Sequence, residues 1–164
     1  MPTLVPIAIT ILSCQDRFLF IKRRKAPYED LWSLVGGKVG LGEHIRDAAI
    51  REVLEETGAP SVVGYSYRGF VSERLIQPDG ELSSHFLIFV GFGQISTFES
   101  GHREGDLALF TTDEIEARKE KFLPSDWFMF RAFLEPANSP QIYEAELIQD
   151  GSKYFLNYYR KVDD

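Results

Sequence analysis

Three carboxylates, Glu52, Glu55 and Glu56, stand three and four residues apart in a segment with helical periodicity, His44–Thr57. At about 100° per residue they share one arc of a helix, and Ile50, Val53, Leu54 and Thr57 fall on the nearly opposite arc. Like charges at these spacings destabilise a helix by roughly a few tenths of a kcal/mol per pair. A solvated acidic face is the ordinary reading of such a cluster. A cation held over it is the other, and an all-oxygen ligand set selects a hard ion, Mg²⁺ or Mn²⁺, over Zn²⁺. The surroundings favour the second reading. Val35–Gly42 holds four glycines, which predicts an irregular loop whose backbone can approach a ligand closely. Arg51 lies between the two faces, where a guanidinium can hold a neighbouring carboxylate. Ala48 and Ala49 flank the acidic arc and, being short, are expected to leave room above the helix for metal and substrate. Gly58, with Pro60 behind it, marks the helix end.

Around this segment the chain reads as a mixed α/β protein. Pro6–Ser13 and Arg17–Lys22 read as a hairpin across Gln15-Asp16, and Ala26–Leu34 as a loop closing on a short strand. Ser61–Ser72 and Ser84–Phe92 read as strands split by the Pro78-Asp79-Gly80 turn. Leu107–Thr111 reads as a short strand, and Asp113–Lys119 and Pro124–Leu134 as helices. Ile142–Gln149 and Lys153–Tyr159 flank Asp150-Gly151, a hairpin signal. With 164 residues and no linker or repeat, a single domain over residues 1–164 is expected. The net charge of −7 argues against a nucleic-acid polymer as partner. An anionic small molecule remains compatible if a cation mediates. The single cysteine, Cys14, excludes an intramolecular disulfide and a cysteine-based metal cluster. No apolar run approaches the ~20 residues of a membrane helix, and the apolar N-terminus reads as a strand rather than a signal peptide. A cytoplasmic protein with no membrane partner is the expectation.

Gly37-x5-Glu43-x7-Arg51-Glu52-Val53-x-Glu55-Glu56-x-Gly58-Ala59 resembles the signature of the Nudix hydrolases at every fixed position. A looser likeness spans about Phe18 to Ile115. The resemblance implies an α/β/α sandwich with a mixed β-sheet. It also implies Mg²⁺-dependent hydrolysis, with Mn²⁺ as a substitute, of a nucleoside diphosphate linked to a group X. By the family pattern Glu52, Glu55, Glu56 and the Gly36 carbonyl would hold metal, Arg51 and Glu43 would orient these ligands, and Gly37 and Lys38 would lie beside substrate. A pyrophosphate bridge is anionic, so attack by water on it requires charge neutralisation and water activation, both of which a metal supplies. The loose subgroup likeness is to ADP-ribose pyrophosphatases, so a nucleotide sugar is the expected substrate. The alternatives are a nucleoside triphosphate pyrophosphohydrolase of the house-cleaning type and a non-catalytic ligand sensor. A homodimer is compatible with either. The family often has proline before the paired glycines. Here Val35 stands there, which leaves the loop entry less pre-set.

Two further groups are candidates. Arg23 and Arg24 end a strand and offer a phosphate clamp, with a solvated basic patch as the alternative. A downstream glutamate often supplies the water-activating base in this family, and Glu104 is preferred over Glu99 within Gly93–Asp106, a segment whose Gly and Ser content suggests it closes over substrate. Trp32, His44, His85, His102 and the Trp127-Phe128-Met129-Phe130 run are read as structural.

Overall fold

The computed structural model describes residues 1–100, 105–139 and 141–163. Strands β1 (Leu4–Cys14) and β2 (Arg17–Arg23) form the first hairpin, followed by β3 (Trp32–Ser33), β4 (Val35–Lys38) and helix α1 (Ile45–Thr57). A long hairpin, β5 (Val63–Ile76) and β6 (Leu82–Gln94), precedes β7 (Gly105–Phe110). Helices α2 (Thr112–Ala117) and α3 (Pro124–Phe133) come next, and β8 (Gln141–Asp150) and β9 (Lys153–Lys161) close the chain. The strands form one sheet in the order β3-β2-β1-β6-β5-β8-β9, with β4 pairing β1 and β7 pairing β2. The β1–β6 and β5–β8 pairs are parallel and the others antiparallel, so the sheet is mixed.

Alternation along β1 builds the layers. Ala8 packs with Ala48 and Ala49 of α1, and Leu12 and Cys14 pack with Val53. Ile9 and Ile11 point the other way, into a core with Trp127, Met129, Phe130 and Phe133 of α3. Successive strand side chains face opposite sides, so α1 and α3 cover opposite faces of the sheet. β2 repeats the pattern, with Leu19 and Ile21 on the α1 side and Phe18 and Phe20 on the α3 side. Phe20 meets Phe110 and Phe122 edge-on at 5.9 and 4.9 Å.

Two sequence expectations are corrected. Four glycines between 35 and 42 do not preclude a regular element, because Val35–Lys38 is strand β4, in register with Ile7–Thr10 of β1. Val35 is fully buried in the α1-side core, so this position holds a packed strand residue rather than a loose loop entry. The helix face is the second, in part. Of the arc Ile50, Val53, Leu54 and Thr57, α1 buries Val53 and Thr57, while Ile50 and Leu54 are half-buried and Ala48, Ala49 and Glu56 are buried beside them. The two alanines leave no open space above the helix. They let it approach Ala8 closely, and that approach carries the acidic arc against the glycine strand.

Candidate functional site

α1 starts after His44, whose backbone is extended, and stops at Gly58, whose φ of +69° is the left-handed conformation that favours glycine. Arg51 gathers the acidic side chains along this helix. Its Nε and Nη2 donate to the two oxygens of Glu43 at 2.8 and 3.0 Å. Nη1 donates to Glu52 at 2.8 Å and Glu55 at 3.1 Å, and Nη2 also donates to the Lys38 carbonyl at 3.0 Å. Arg51 and the Gly40 N–H hold the Glu43 carboxyl down at about 2, and the hydrogen bonds to Glu43 and Glu52 raise the Arg51 pKa. Glu43 thus anchors Arg51, and Arg51 positions Glu52 and Glu55.

The paired glycines have different jobs. A Cβ on Gly37 would fall 2.4–2.6 Å from the Glu52 carboxyl group, so the missing side chain is the space Glu52 occupies. A Cβ on Gly36 would fall 2.3 Å from the Ala8 carbonyl, so glycine there permits the β1–β4 pairing. Two cavities meet at this strand. The larger, about 470 Å³, is lined by Gly36, Gly37, Lys38 and Glu52, and also by Glu73 and Asp126. The smaller, about 180 Å³, is lined by Gly36, Glu56, Arg23, Arg24 and Lys25. Gly36 and Arg23 border both. Glu56 is only 5% exposed.

The structure therefore brings Glu52, Gly36, Gly37, Lys38 and Arg23 to one cavity and Glu56, Gly36, Arg23 and Arg24 to the other. Arg23 donates from Nε to the Pro27 carbonyl at 3.0 Å, and Arg24 pairs with Asp106 at 2.8 Å on the surface. Glu55 is half-exposed and reaches Arg51. The carboxylates and the Gly36 carbonyl form an all-oxygen donor set that suits a hard divalent cation. Among the described residues no three acidic, His or Cys side chains converge in the arrangement of a metal site. Arg51 Nη1 accounts for this in part, since it draws both Glu52 and Glu55 to itself.

Glu104 lies outside the described residues. Glu99 is placed at the C-terminal end of α1: its N–H donates to the Thr57 carbonyl at 2.7 Å, and its carboxyl lies against Gly58. The segment leading to it is not a loose flap. Ile95 is buried, packs in the α1-side core and donates its N–H to the Ser13 carbonyl at 3.0 Å. Trp32 packs edge-on against Phe110 at 5.1 Å, and His85 Nε2 lies 3.0 Å from Ser72 Oγ, so both sit as structural residues. Sequence reading missed Glu73 and Asp126. Each had a signal: Glu73 occupies an inward position between Val71 and Leu75, and Asp126 shares the apolar stripe of Met129, Phe130 and Phe133.

A family model described as NUDIX domain matches residues 2–145. A Bacillus subtilis (strain 168) protein provisionally named 8-oxo-dGTP diphosphatase is 44% identical over 50 residues, 30% of this chain and 32% of that one. The chain thus matches about a third of that relative's length. An RNA pyrophosphohydrolase of Campylobacter jejuni subsp. jejuni serotype O:2 is 25% identical over 112 residues, 61% of this chain and 71% of that one. An ADP-ribose pyrophosphatase of Methanocaldococcus jannaschii is 40% identical over 48 residues, 29% of this chain and 28% of that one. In fold, the crystal structure of a MutT protein from Bacillus halodurans superposes with a TM-score of 0.74 at 22% identity, over 98% of this chain and 99% of that one. With its mixed sheet between helices and the match over residues 2–145, the chain belongs to the NUDIX domain family.

Proposed function

We propose that this chain is a metal-dependent pyrophosphohydrolase of a nucleoside diphosphate linked to X, with a nucleotide sugar such as ADP-ribose as the first reading of X. One observation carries it: Glu52 and Glu56 face two cavities that share Gly36 and Arg23. Cation-binding oxygens and an anion-binding guanidinium thus border the same space, and a phosphoric anhydride requires both. Glu52, Glu55, Glu56 and the Gly36 carbonyl would hold Mg²⁺, or Mn²⁺ in its place. The ion, when bound, supplies charge neutralisation and an activated water. Glu52 and Glu55 would leave Arg51 Nη1 to reach it, while Glu43 keeps Arg51 in place. Arg23 and Arg24 would receive phosphate oxygens, and Gly37 and Lys38 would border the bound substrate. Glu104 or Glu99 would act as the base. The short match to an ADP-ribose pyrophosphatase supports the nucleotide sugar. The short match to the B. subtilis relative, by its name, supports a second reading, a nucleoside triphosphate.

A panel of ADP-ribose, other nucleotide sugars and nucleoside triphosphates, assayed with and without Mg²⁺, tests this. Phosphate release that requires added alkaline phosphatase indicates a phosphomonoester from a diphosphate linked to X. Direct formation of pyrophosphate indicates a triphosphate. Absence of metal-dependent turnover across the panel would reject the enzyme reading.

The glycine pair gives a second test. Gly37→Ala should lower kcat at least about tenfold, because the added methyl displaces the Glu52 carboxyl and small misplacements are costly in catalysis. Its stability should change by less than about 1 kcal/mol, since the displaced atoms are the tip of a flexible side chain. Gly36→Ala should instead destabilise the fold by more than about 2 kcal/mol, because its methyl meets backbone. Denaturant melts beside steady-state kinetics separate the two, and full activity in Gly37→Ala would remove Glu52 from the proposed site.

A further inference from the structure

The segment between β2 and β3 is a loop closed at its neck. The Arg23 N–H donates to the Leu31 carbonyl at 3.1 Å, and the Asp30 N–H donates to the Arg23 carbonyl at 2.8 Å. Within the loop, Arg23 Nε holds the Pro27 carbonyl. The loop walls both cavities: Ala26, Pro27 and Tyr28 line the larger one, and Arg24, Lys25 and Ala26 the smaller. Its backbone therefore sets where the Arg23 and Arg24 guanidinium groups stand. Nothing local dictates its shape. Tyr28 and Asp30 have φ of +72° and +66°, a region that bulky side chains rarely adopt. Such residues persist where their surroundings over-determine them.

Those surroundings are the closing hairpin, outside the Gly37–Ala59 motif. Tyr154 of β9 directs its hydroxyl at the loop. The oxygen accepts the Tyr28 N–H at 2.9 Å, and the O–H donates to Glu29 Oε2 at 3.0 Å. Gln149 Nε2, facing Tyr154 across the hairpin on β8, donates to the same oxygen at 3.2 Å. A phenol has one proton to give and two lone pairs, so the hydroxyl is fully used, with two of its three bonds on the loop. The ring lies 4.8 Å from that of Tyr28. Tyr28 in turn donates its O–H to Glu73 Oε2 at 3.1 Å. Glu73 lies on the cavity floor with Asp126, which accepts the Leu34 N–H at 2.8 Å. Phenylalanine would fill the space of the Tyr154 ring, so the oxygen serves the loop rather than the packing.

We propose that Tyr154 is a positioning residue for substrate binding: through Tyr28 and Glu29 it holds loop 24–30 in the shape that sets Arg23 and Arg24 for a phosphate group. The proposal rests on the phosphate role given above to those arginines. Without the hydroxyl the loop is ordered only as substrate binds, and that cost falls on affinity. Glu52 and Gly36 are held separately, by Arg51 and by pairing with β1, so the chemical step is spared.

The test is made on the full chain. Tyr154→Phe keeps the ring and removes the oxygen. It should raise KM for the best substrate of the panel at least about fivefold and keep kcat within about threefold. The loop also carries its own reporter, because trypsin cuts after Arg24 and Lys25, both exposed. Native-state proteolysis follows local opening, so without metal or substrate the variant should be cut there at least about tenfold faster. Asn157→Ala removes a different bond of the same hairpin, Asn157 Nδ2 to Glu146 Oε1 at 2.8 Å, and should move neither readout. Glu29→Gln, which keeps a side-chain oxygen for the Tyr154 O–H, should match wild type. Glu29→Ala should move both readouts in the direction of Tyr154→Phe. An unchanged KM or an unchanged cutting rate in Tyr154→Phe would overturn the proposal. So would cuts spread along the chain in step with a lowered melting temperature, the mark of lost stability alone. If Tyr154→Phe fails to fold, Glu29→Ala decides on the same criteria. Absence of hydrolysis by wild type would reject the activity proposed above. Faster cutting confined to the loop would then keep the hold of Tyr154 on it, and a wild-type cutting rate would reject that as well.

Discussion

Glu56→Gln should lower kcat at least ~100-fold while leaving the unfolding midpoint of the metal-free protein level or raised. The substitution keeps the shape of the side chain and removes its charge. Glu56 is 5% exposed, on the buried face of α1, and borders the small cavity with Arg23, Arg24 and Gly36. If it is a metal ligand, the loss falls on the transition state, where a key electrostatic contact commonly contributes two or more orders of magnitude. Glu52→Gln should show a similar kinetic loss with a smaller gain in stability, since Arg51 already neutralises part of its charge at 2.8 Å. The measurements are kcat as a function of Mg²⁺ concentration and denaturant melts in chelator. Near-wild-type turnover in both variants would sink the metal-site assignment.

The sequence was most legible where local signals and tertiary pairing agree. Gly58 ends α1 as expected because only the left-handed backbone is required there. Pro78-Asp79-Gly80 sits between paired strands, and Gly151 turns the β8–β9 hairpin just after Asp150, the last residue of β8. β4 was hidden because its strand character comes from its neighbour. Glycines are poor strand formers, yet Gly36 is what lets β1 lie at pairing distance, and propensity yields to such contacts. The buried face of α1 was legible only in part, through Val53 and Thr57, for a related reason. A wheel scores apolarity, whereas the helix docks through its two smallest side chains, and Glu56 follows them inward. The signature placed Glu52, Glu55, Glu56 and Arg51 on one helix, but it is silent on how Arg51 divides its donors among Glu43, Glu52 and Glu55. Glu73 and Asp126 lie 53 residues apart on β5 and α3, and no local pattern links two acids brought together by packing on one face of a sheet.

That buried pair should also govern stability as pH changes. Asp126 is raised to about 8 in the fold, against an ordinary value of 3.8. Between those values the folded protein binds a proton that the unfolded chain does not. A carboxyl shifted in this direction contributes its full stability below the unfolded pKa, and that contribution is lost as pH rises toward the folded pKa. The slope is at most about 1.4 kcal/mol per pH unit for one such group, so wild type should lose up to about 4 kcal/mol between pH 5 and 8. Glu73, raised by the same burial, acts with the same sign. Glu43, held down at about 2, acts with the opposite sign, and its window lies below pH 5. Asp126→Asn is neutral at every pH and keeps an oxygen for the Leu34 N–H. It should match wild type near pH 5 and exceed it by a few kcal/mol at pH 8. Urea melts of both proteins at half-unit intervals from pH 5 to 8.5 read the difference directly, and parallel stability curves would show that Asp126 is not protonated in the fold at neutral pH.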